Sequence, residues 1–280
     1  MCRFVLYLGP KIPVSSLVTD PHHSMIRQSF KAKERSEPLN GDGFGVAWYA
    51  RDYSNEPAVF RDISPAWNNQ NLLNIARVVS SDCILAHVRA ASPGLPVSQL
   101  NCHPFVWRNI TFMHNGELDG FADMRRKILA RLSEQSFRWI KGSTDSEHIF
   151  ALFIDNYLTT DDSEEPLERL KLAMHSTLGE LRILASELGR ETDSHLNLAV
   201  SDGDSAIVTR VAYHSSPQSL YMIGGRQYEC QDGVCVMQPG GSSAVLVASE
   251  PLSDEPGWTS IQANHMVVIP PSRMPEHVPL

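Results

Sequence analysis

The chain has 280 residues, of which 42% are hydrophobic and 20% are charged, and its net charge at pH 7 is −8. This composition is typical of a globular protein with a sizeable core. The acidic balance and the lack of a dense basic run argue against nucleic acid as a partner. No apolar run reaches the roughly 18 residues of a transmembrane helix, so we expect no membrane partner. No signal-peptide pattern is present either, and we predict a cytoplasmic protein.

The five cysteines are sparse and odd in number, which favours reduced thiols over a disulfide framework. Cys230 and Cys235 are too far apart in sequence for a CxxC pair, and no second pair or nearby histidine accompanies them. We therefore predict free cysteines and no zinc site.

The first third of the chain is rich in predicted strands. One helix is predicted among them, over Ala66–Val79, because its apolar residues lie on or near one face. Short β-type runs bounded by glycine, proline or asparagine predict strands at Arg3–Leu8, Gly45–Tyr49, Ala58–Ile63, Ile84–Arg89 and Ile110–Met113.

The middle of the chain is helical, and the last third returns to strands. Residues Phe121–Ile140 and Ser146–Tyr157 contain no proline or glycine and predict two helices. Pro166 opens a third, whose apolar residues recur at three- and four-residue steps as far as Ala185. Without a linker or a repeat, this order predicts one layered α+β domain over residues 1–280. The strands of the last third are predicted at Leu196–Val200, Ala206–Val211, Leu220–Ile223, Val234–Met237, Ala244–Ala248 and Met266–Ile269.

Cys2 directly follows the initiator methionine. Removal of Met1 would leave a cysteine with a free α-amine, and that amine can activate the adjacent thiol as a nucleophile. Amine and thiol titrate near ~8 and ~8.5, close to neutral pH. The alternative is that Cys2 is a small buried hydrophobic residue that opens the first strand.

Arg89 ends a predicted strand, just before a Ser-Pro-Gly turn at residues 92–94. An arginine at a strand end can reach into a pocket and hold a carboxylate with two parallel hydrogen bonds. The alternative is a structural arginine that pairs with a surface acid, and this segment alone favours that alternative.

Asn115 and Gly116 follow an apolar strand, and an Asn-Gly pair at that place ordinarily predicts a hairpin turn. In a nucleophilic enzyme the same pair has a second interpretation. The side-chain amide of Asn115 and the backbone N–H of Gly116 can both donate to a developing oxyanion.

Asp145 lies in the dense polar run at residues 143–148, which opens a predicted helix. Either Asp145 or Thr144 would be a good N-cap. Capping explains one of them, so the other polar groups are available to present a carboxylate to a cationic group.

Two other segments have plainer interpretations. The glycine-rich residues 41–45 lack phosphate-loop spacing and precede a strand, which predicts a turn. Cys102 has His103 beside it, but neighbouring side chains on an extended chain point apart, so Cys102 is a poor nucleophile candidate.

Together these segments resemble one family, the class II glutamine amidotransferases, which are N-terminal-nucleophile hydrolases. The C-terminal residues 248–252 with Trp258 are similar to its stand-alone branch, whose members include YafJ-like proteins and γ-glutamyl hydrolases. The motifs that occur in family order are Met1–Cys2–Arg3, Gly41–Gly45, His87–Arg89 with Ala91 and Ser92, Asn101–Phe105, Phe112–Gly116 and Ser143–Glu147.

The resemblance implies a four-layer αββα sandwich, with core motifs in residues 2–150 and strands of residues 196–270 that complete it. It also implies that Cys2 attacks the γ-carbonyl of glutamine or of a γ-glutamyl amide, forms a thioester and uses its own α-amine as base. Asn115 and Gly116 match the oxyanion hole of the family. Arg89 matches the residue that holds the substrate α-carboxylate, and Asp145 matches the one that holds the α-ammonium.

Three further residues are predicted on the substrate side of the site: His87, Ser249 and Glu250. For Ser249 and Glu250 the sequence leaves open whether they line the pocket or only fix a loop. The resemblance implies no metal and no organic cofactor. The mechanism also requires that Met1 be removed.

Three functions stay open at this point. The first, which we favour, is hydrolysis of γ-glutamyl amides. The second is a glutaminase subunit that passes ammonia to a separate protein partner, and the third is a non-catalytic subunit that keeps the fold. The intact set of candidate residues argues against the third. A homo-oligomer is compatible with the sequence, which does not set the oligomeric state.

Overall fold

The computed structural model describes residues 2–34, 39–91, 96–189 and 193–280. Met1 and the predicted turn at residues 92–94 lie outside these described residues. The strands are β1 (Arg3–Pro13), β2 (Phe44–Trp48), β3 (Ala58–Asp62), β4 (Ser80–Val88), β5 (Phe105–Trp107), β6 (Ile110–Glu117), β7 (His195–Ser201), β8 (Ala206–Ala212), β9 (Tyr221–Gly225), β10 (Gln227–Gln231), β11 (Val234–Gln238), β12 (Ala244–Ala248), β13 (Thr259–Ser260), β14 (His265–Ile269) and β15 (Glu276–Pro279). The α-helices are α1 (Ser15–Val18), α2 (Met25–Phe30), α3 (Gln70–Val78), α4 (Phe121–Arg131), α5 (Glu134–Trp139), α6 (Asp145–Thr159) and α7 (Pro166–Ser186).

The strands form two large antiparallel sheets and a separate hairpin of β10 and β11. The seven-stranded sheet has the order β13-β9-β12-β1-β4-β2-β3, and the six-stranded sheet has the order β15-β14-β8-β7-β6-β5. The first strand is thus central, with Val5 opposite Ala248 on one side and opposite Ala86 on the other. Both sheets combine strands that precede the helices α4–α7 in sequence with strands that follow them.

Because side chains alternate between the two faces of each strand, the hydrophobic core has three parts, one between the two sheets and one between each sheet and its helices. Phe4 and Leu6 of β1 pack between the two sheets, against residues such as Met113 of β6. Val5 and Tyr7 face the other way, toward α1–α3. The second sheet packs its outer face against α4–α7. The order of layers is therefore helix, sheet, sheet, helix, and the predicted αββα sandwich of the α+β class is confirmed.

Two predicted helices begin or break at capping residues. The helix predicted over Phe121–Ile140 is divided into α4 and α5, because the Ser133 side chain accepts from the backbone N–H of Ser136 and starts a new helix. Within Ala66–Val79, a short 3-10 helix precedes α3, which is capped by Asn69. Among the described residues, no helix is long and apolar enough to cross a membrane.

Cys230 and Cys235 form a disulfide, so the prediction of five free cysteines is wrong for this pair. The two residues lie directly opposite each other in the β10–β11 hairpin. The spacing of Cys230 and Cys235 does not match CxxC, but a short hairpin turn brings the two residues face to face. Cys2, Cys83 and Cys102 are free.

Candidate active site

Cys2 lies at one end of the sandwich, immediately before β1. The pairing of Arg3 with Val88 places it beside the end of β4, and its thiol donates to the carbonyl oxygen of Ala90 at 3.6 Å. Because side chains alternate along a strand, Cys2 lies on the same face as Phe4, which packs between the sheets. Cys2 as a whole residue is partly exposed, at the edge of the inter-sheet layer.

Arg89 is buried where β4 ends, with 3% of its surface exposed. Its backbone is held by the loop of residues 41–45, through hydrogen bonds with Gly43 and Asp42, and the Asp42 carboxylate accepts from the N–H of Ala91. The Arg89 guanidinium donates to the Asp42 carbonyl oxygen at 3.4 Å. Within the described part of the chain, no carboxylate lies within ion-pair distance of Arg89. It is a buried cation that is available to an anionic ligand.

Asp145 is the first residue of α6, and Thr144 is its N-cap, since the Thr144 hydroxyl accepts from the N–H of Glu147. Capping therefore does not occupy Asp145. Its carboxylate accepts from the backbone N–H of Leu118 at 2.8 Å and of Ser146 at 2.7 Å. These bonds connect α6 to the end of β6 and leave acceptor sites on the carboxylate, which has about four in all.

The charges of Arg89 and Asp145 both act on the thiol of Cys2. Burial raises the pKa of Cys2 above its ordinary value, Arg89 lowers it, and Asp145 raises it. The Cys2 thiol also contacts Ala90, the neighbour of Arg89, and a shared role of the three groups in substrate binding stays a prediction. A thiol with a raised pKa is protonated at neutral pH, so Cys2 needs a nearby base to act as a nucleophile.

Asn115 and Gly116 continue β6 and do not form a turn, so the hairpin interpretation is wrong. Asn115 lies opposite Asn197 of β7, and Gly116 lies opposite Leu196. A side chain at Gly116 would collide with the carbonyl oxygen of His195, so the close approach of the strands requires glycine.

The side-chain amide of Asn115 connects the two sheets. Its Nδ2 donates to the Ser249 hydroxyl at 3.3 Å, and the same hydroxyl accepts from the N–H of Phe4 at 3.0 Å. Asn115 is thereby tied to the strand that carries Cys2. An asparagine amide has two N–H donors, and the second is available to a bound oxygen.

His87 is buried against the opposite sheet. Its Nε2 lies 3.1 Å from the carbonyl oxygen of His114, and its ring lies 4.3 Å from that of His103. Burial lowers the pKa of His87 to about 3. The imidazole is therefore neutral and donates to His114, so His87 holds β4 to β6. Its predicted contact with substrate stays a prediction.

Ser249 and Glu250 follow β12 and lie beside the first strand. Ser249 contacts Asn115 and Phe4, as described above, whereas the Glu250 carboxylate forms an ion pair with Arg3 and a hydrogen bond with His23. Arg3 and His23 were not among the residues predicted for the site. A signal for Arg3 was present, because a charged residue in an otherwise apolar central strand indicates a buried ion pair.

Two other observations bear on the chemistry of this site. Cys102 is buried, and burial raises its pKa to about 11, which agrees with its assignment as a poor nucleophile candidate. In the part of the chain that the structure describes, no group of three or more His, Cys, Asp or Glu residues could hold a metal ion.

Comparisons with known proteins point to one family. The sequence model of the glutamine amidotransferases class-II matches residues 15–274. The probable glutamine amidotransferase DUG3 of Saccharomyces cerevisiae is 36% identical, over 96% of this chain and 82% of that protein. The gamma-glutamyl-hercynylcysteine sulfoxide hydrolase of Mycolicibacterium smegmatis is 25% identical, over 95% of each chain.

Solved structures agree with this assignment. A glutamine aminotransferase class-II domain protein from Silicibacter pomeroyi has a TM-score of 0.68 and 25% identity, over 100% of this chain and 99% of its own. The allosteric regulatory enzyme of purine biosynthesis has a TM-score of 0.64 at 14% identity, over 99% of this chain and 49% of its own, which shows a shared fold alone. Because the family match covers most of the residues, the chain belongs to the class II glutamine amidotransferases and is an enzyme of that amidohydrolase type.

Proposed function

We propose that the protein hydrolyses the γ-amide bond of glutamine or of a γ-glutamyl amide, with Cys2 as the nucleophile. The observation that carries the proposal is the contact of the Cys2 thiol with Ala90, next to Arg89, whose buried guanidinium has no carboxylate partner among the described residues. The Asp145 carboxylate at the start of α6 also acts on the thiol. One cation and one anion beside a nucleophile match the two charges of an amino-acid head group.

Arg89 would bind the α-carboxylate of the substrate. Its planar guanidinium suits a carboxylate, and a bidentate pair in a buried site is a strong interaction. Asp145 would bind the α-ammonium with the acceptor sites that Leu118 and Ser146 leave open. The γ-glutamyl chain then extends from these two anchors to the thiol.

The reaction would begin when the α-amine of Cys2, freed by removal of Met1, takes the thiol proton. The sulfur attacks the γ-carbonyl carbon, and the oxyanion accepts hydrogen bonds from the Asn115 amide and the Gly116 N–H. The C–N bond then breaks, and the α-ammonium gives its proton to the leaving amine. Water, deprotonated by the same amine, attacks the thioester. The C–S bond breaks, which releases glutamate and restores the thiol.

Hydrolysis is the function we favour over transfer of ammonia to a synthase partner. The Mycolicibacterium smegmatis relative, named a hydrolase, matches this chain over 95% of both sequences. The name of that relative, which is matched over nearly its whole length, therefore favours hydrolysis. The partner hypothesis predicts that glutaminase activity rises when the acceptor enzyme is added.

The test is glutamate release from glutamine and from a set of γ-glutamyl amides and dipeptides, measured by coupled glutamate oxidation. We expect Cys2→Ala to abolish release and the matched variant Cys83→Ala, a free buried cysteine away from the site, to retain it. Equal activity in Cys2→Ala and wild type would refute the mechanism. The intact mass of active protein should lack Met1, and retention of Met1 would eliminate the proposed base.

A further inference from the structure

Two adjacent residues at the end of β12 hold the two halves of the candidate catalytic machinery. We propose that Ser249 and Glu250 are positioning residues: Glu250 aligns Cys2 through Arg3, and Ser249 aligns Asn115. Consecutive residues of an extended chain point to opposite faces, so the pair reaches both sides of the first sheet. The inference rests on the proposed function and assigns these two residues a role other than contact with substrate.

The carboxylate of Glu250 has no acceptor site left for a substrate. Its Oε1 accepts from Arg3 Nε at 3.1 Å and from the N–H of Glu34 at 3.4 Å. Its Oε2 accepts from His23 Nε2 at 2.9 Å and from the N–H of Lys33 at 2.8 Å. A carboxylate offers about four acceptor positions, and all of them are taken while the residue is 1% exposed.

Glu250 is a permanent anion in this environment. Burial opposes its ionisation, but the hydrogen bonds from His23 and Lys33 and the charge of Arg3 outweigh burial and lower its pKa to about 2. A fixed negative charge at this place keeps the Arg3 side chain in one orientation.

Arg3 transmits this orientation to the nucleophile. While its Nε is held by Glu250, its Nη1 donates to the carbonyl oxygen of Cys2 at 2.9 Å. The rigid fork of a guanidinium holds both partners at once, which a lysine cannot do. The bond fixes the peptide plane after Cys2 and so restrains the residue that carries both the thiol and the α-amine.

Ser249 performs the corresponding task for the oxyanion donor. Its hydroxyl accepts from Phe4 N–H and from Asn115 Nδ2, and its own N–H donates to the Phe4 carbonyl oxygen at 3.0 Å. One N–H of the Asn115 amide is thereby anchored to the strand of the nucleophile, and the other is directed to the oxyanion. The distance between thiol and oxyanion donor is then set by Ser249.

The experiment compares the kinetics of wild type with Glu250→Gln, Arg3→Lys, Ser249→Ala and the double variant Arg3→Lys/Glu250→Gln. Because misplacement of catalytic groups by about 1 Å costs on the order of 100-fold, we expect kcat to fall by about 10- to 100-fold in each variant. KM should stay within about twofold, since Arg89 and Asp145 are untouched. The double variant should lose no more than the larger single loss, because both act through one contact chain.

Glu187→Gln is the matched control, because it removes one carboxylate charge from an exposed ion-pair network with Lys127 and Arg131. It should leave kcat unchanged. Only variants whose circular dichroism spectrum matches that of wild type are compared. If Glu250→Gln does not fold, Ser249→Ala provides the test.

A tenfold rise in KM with unchanged kcat would overturn the proposal, because it would place Glu250 against the substrate. Additive losses in the double variant, or wild-type kcat in Ser249→Ala, would overturn it too. Failure of the proposed function is separate: a 6-diazo-5-oxo-norleucine adduct mapped to a residue other than Cys2 would refute that function, whatever the positioning variants show.

Discussion

Two buried arginines at the same end of the sandwich have opposite surroundings. Arg3 is 2% exposed and pairs with the carboxylate of Glu250, whereas Arg89 is 3% exposed and contacts a backbone carbonyl oxygen. A buried charge without an opposite charge costs free energy, and a buried pair largely offsets that cost. The difference separates two tasks: Arg3 has its opposite charge in Glu250, whereas no described residue supplies an opposite charge to Arg89.

This difference also explains why the two residues should respond differently to substitution. Removal of Arg3 leaves Glu250 buried without its cation, so the folded state suffers. Removal of Arg89 leaves no buried anion behind among the described residues, so we expect the loss in binding of the substrate. The predictions below test this contrast.

The largest effect is expected for Arg3→Met. Breaking a buried ion pair by removing one partner typically costs about 3–5 kcal/mol, and we expect a loss of that size in the free energy of unfolding, measured by urea denaturation. Arg51→Met, which breaks an exposed pair with Asp204, should change it by less than about 1 kcal/mol. Similar losses in both variants would show that burial of the Arg3 pair is unimportant.

Arg89→Met should reverse this pattern. Loss of a buried charge-assisted contact to the substrate costs about 2–5 kcal/mol, so kcat/KM should fall by about 30- to 5,000-fold, mainly through KM. The free energy of unfolding should stay constant or rise, because a buried cation without a carboxylate partner among the described residues is removed. If Arg89→Met destabilises the fold as much as Arg3→Met, then Arg89 has a structural role and the contrast fails.

The contrast between Arg3 and Arg89 also marks what the sequence could predict. The family resemblance predicted Cys2, Arg89 and Asp145 as one site, whereas local patterns only placed each of them next to a strand or helix boundary. Glu250 was predicted on the substrate side, yet its carboxylate is held by Arg3, 247 residues away in sequence. No local sequence pattern shows which distant donors form hydrogen bonds with the oxygens of a carboxylate.

The same limit applies to the fold. Strand alternation and helical periodicity predicted most elements, since they depend on neighbouring residues, whereas the four-layer sandwich was implied only by the family resemblance. The hairpin turn predicted at Asn115–Gly116 was wrong because β6 continues through these residues and pairs with β7, about 80 residues further along the chain. The break at Ser133 was a missed local signal, since serine is a preferred N-cap.

Acid should weaken the contacts of the Glu250 carboxylate in a defined range of pH. Glu250 has a pKa of about 2 in the folded protein, against about 4.3 in an unfolded chain. Its contribution to stability is therefore present above pH ~4.3 and is lost as pH falls toward 2, by up to about 3 kcal/mol. The difference in free energy of unfolding between wild type and Glu250→Gln should shrink over that range. A constant difference would show that Glu250 is not ionised in the fold.

The smallest effect is expected at His103, a buried imidazole. Both of its ring nitrogens lack hydrogen-bond partners within the described residues, and its ring packs between His87 and Phe105. Burial, with the nearby His87, holds its pKa well below the ordinary value. As pH falls below ~6.5, His103 binds a proton in the unfolded chain but not in the folded protein, so the free energy of unfolding decreases.

His103→Phe keeps an aromatic ring in this stack and removes the proton site. We expect it to change the free energy of unfolding by less than about 1 kcal/mol at pH 7.5, because no hydrogen bond is lost. At pH 5.5 the variant should gain about 1 kcal/mol relative to wild type, since the wild-type unfolded state is then protonated. A loss of several kcal/mol in the free energy of unfolding at both pH values would mean that the imidazole has a hydrogen-bond partner. His103 would then be a group that the fold pairs, as it pairs Arg3.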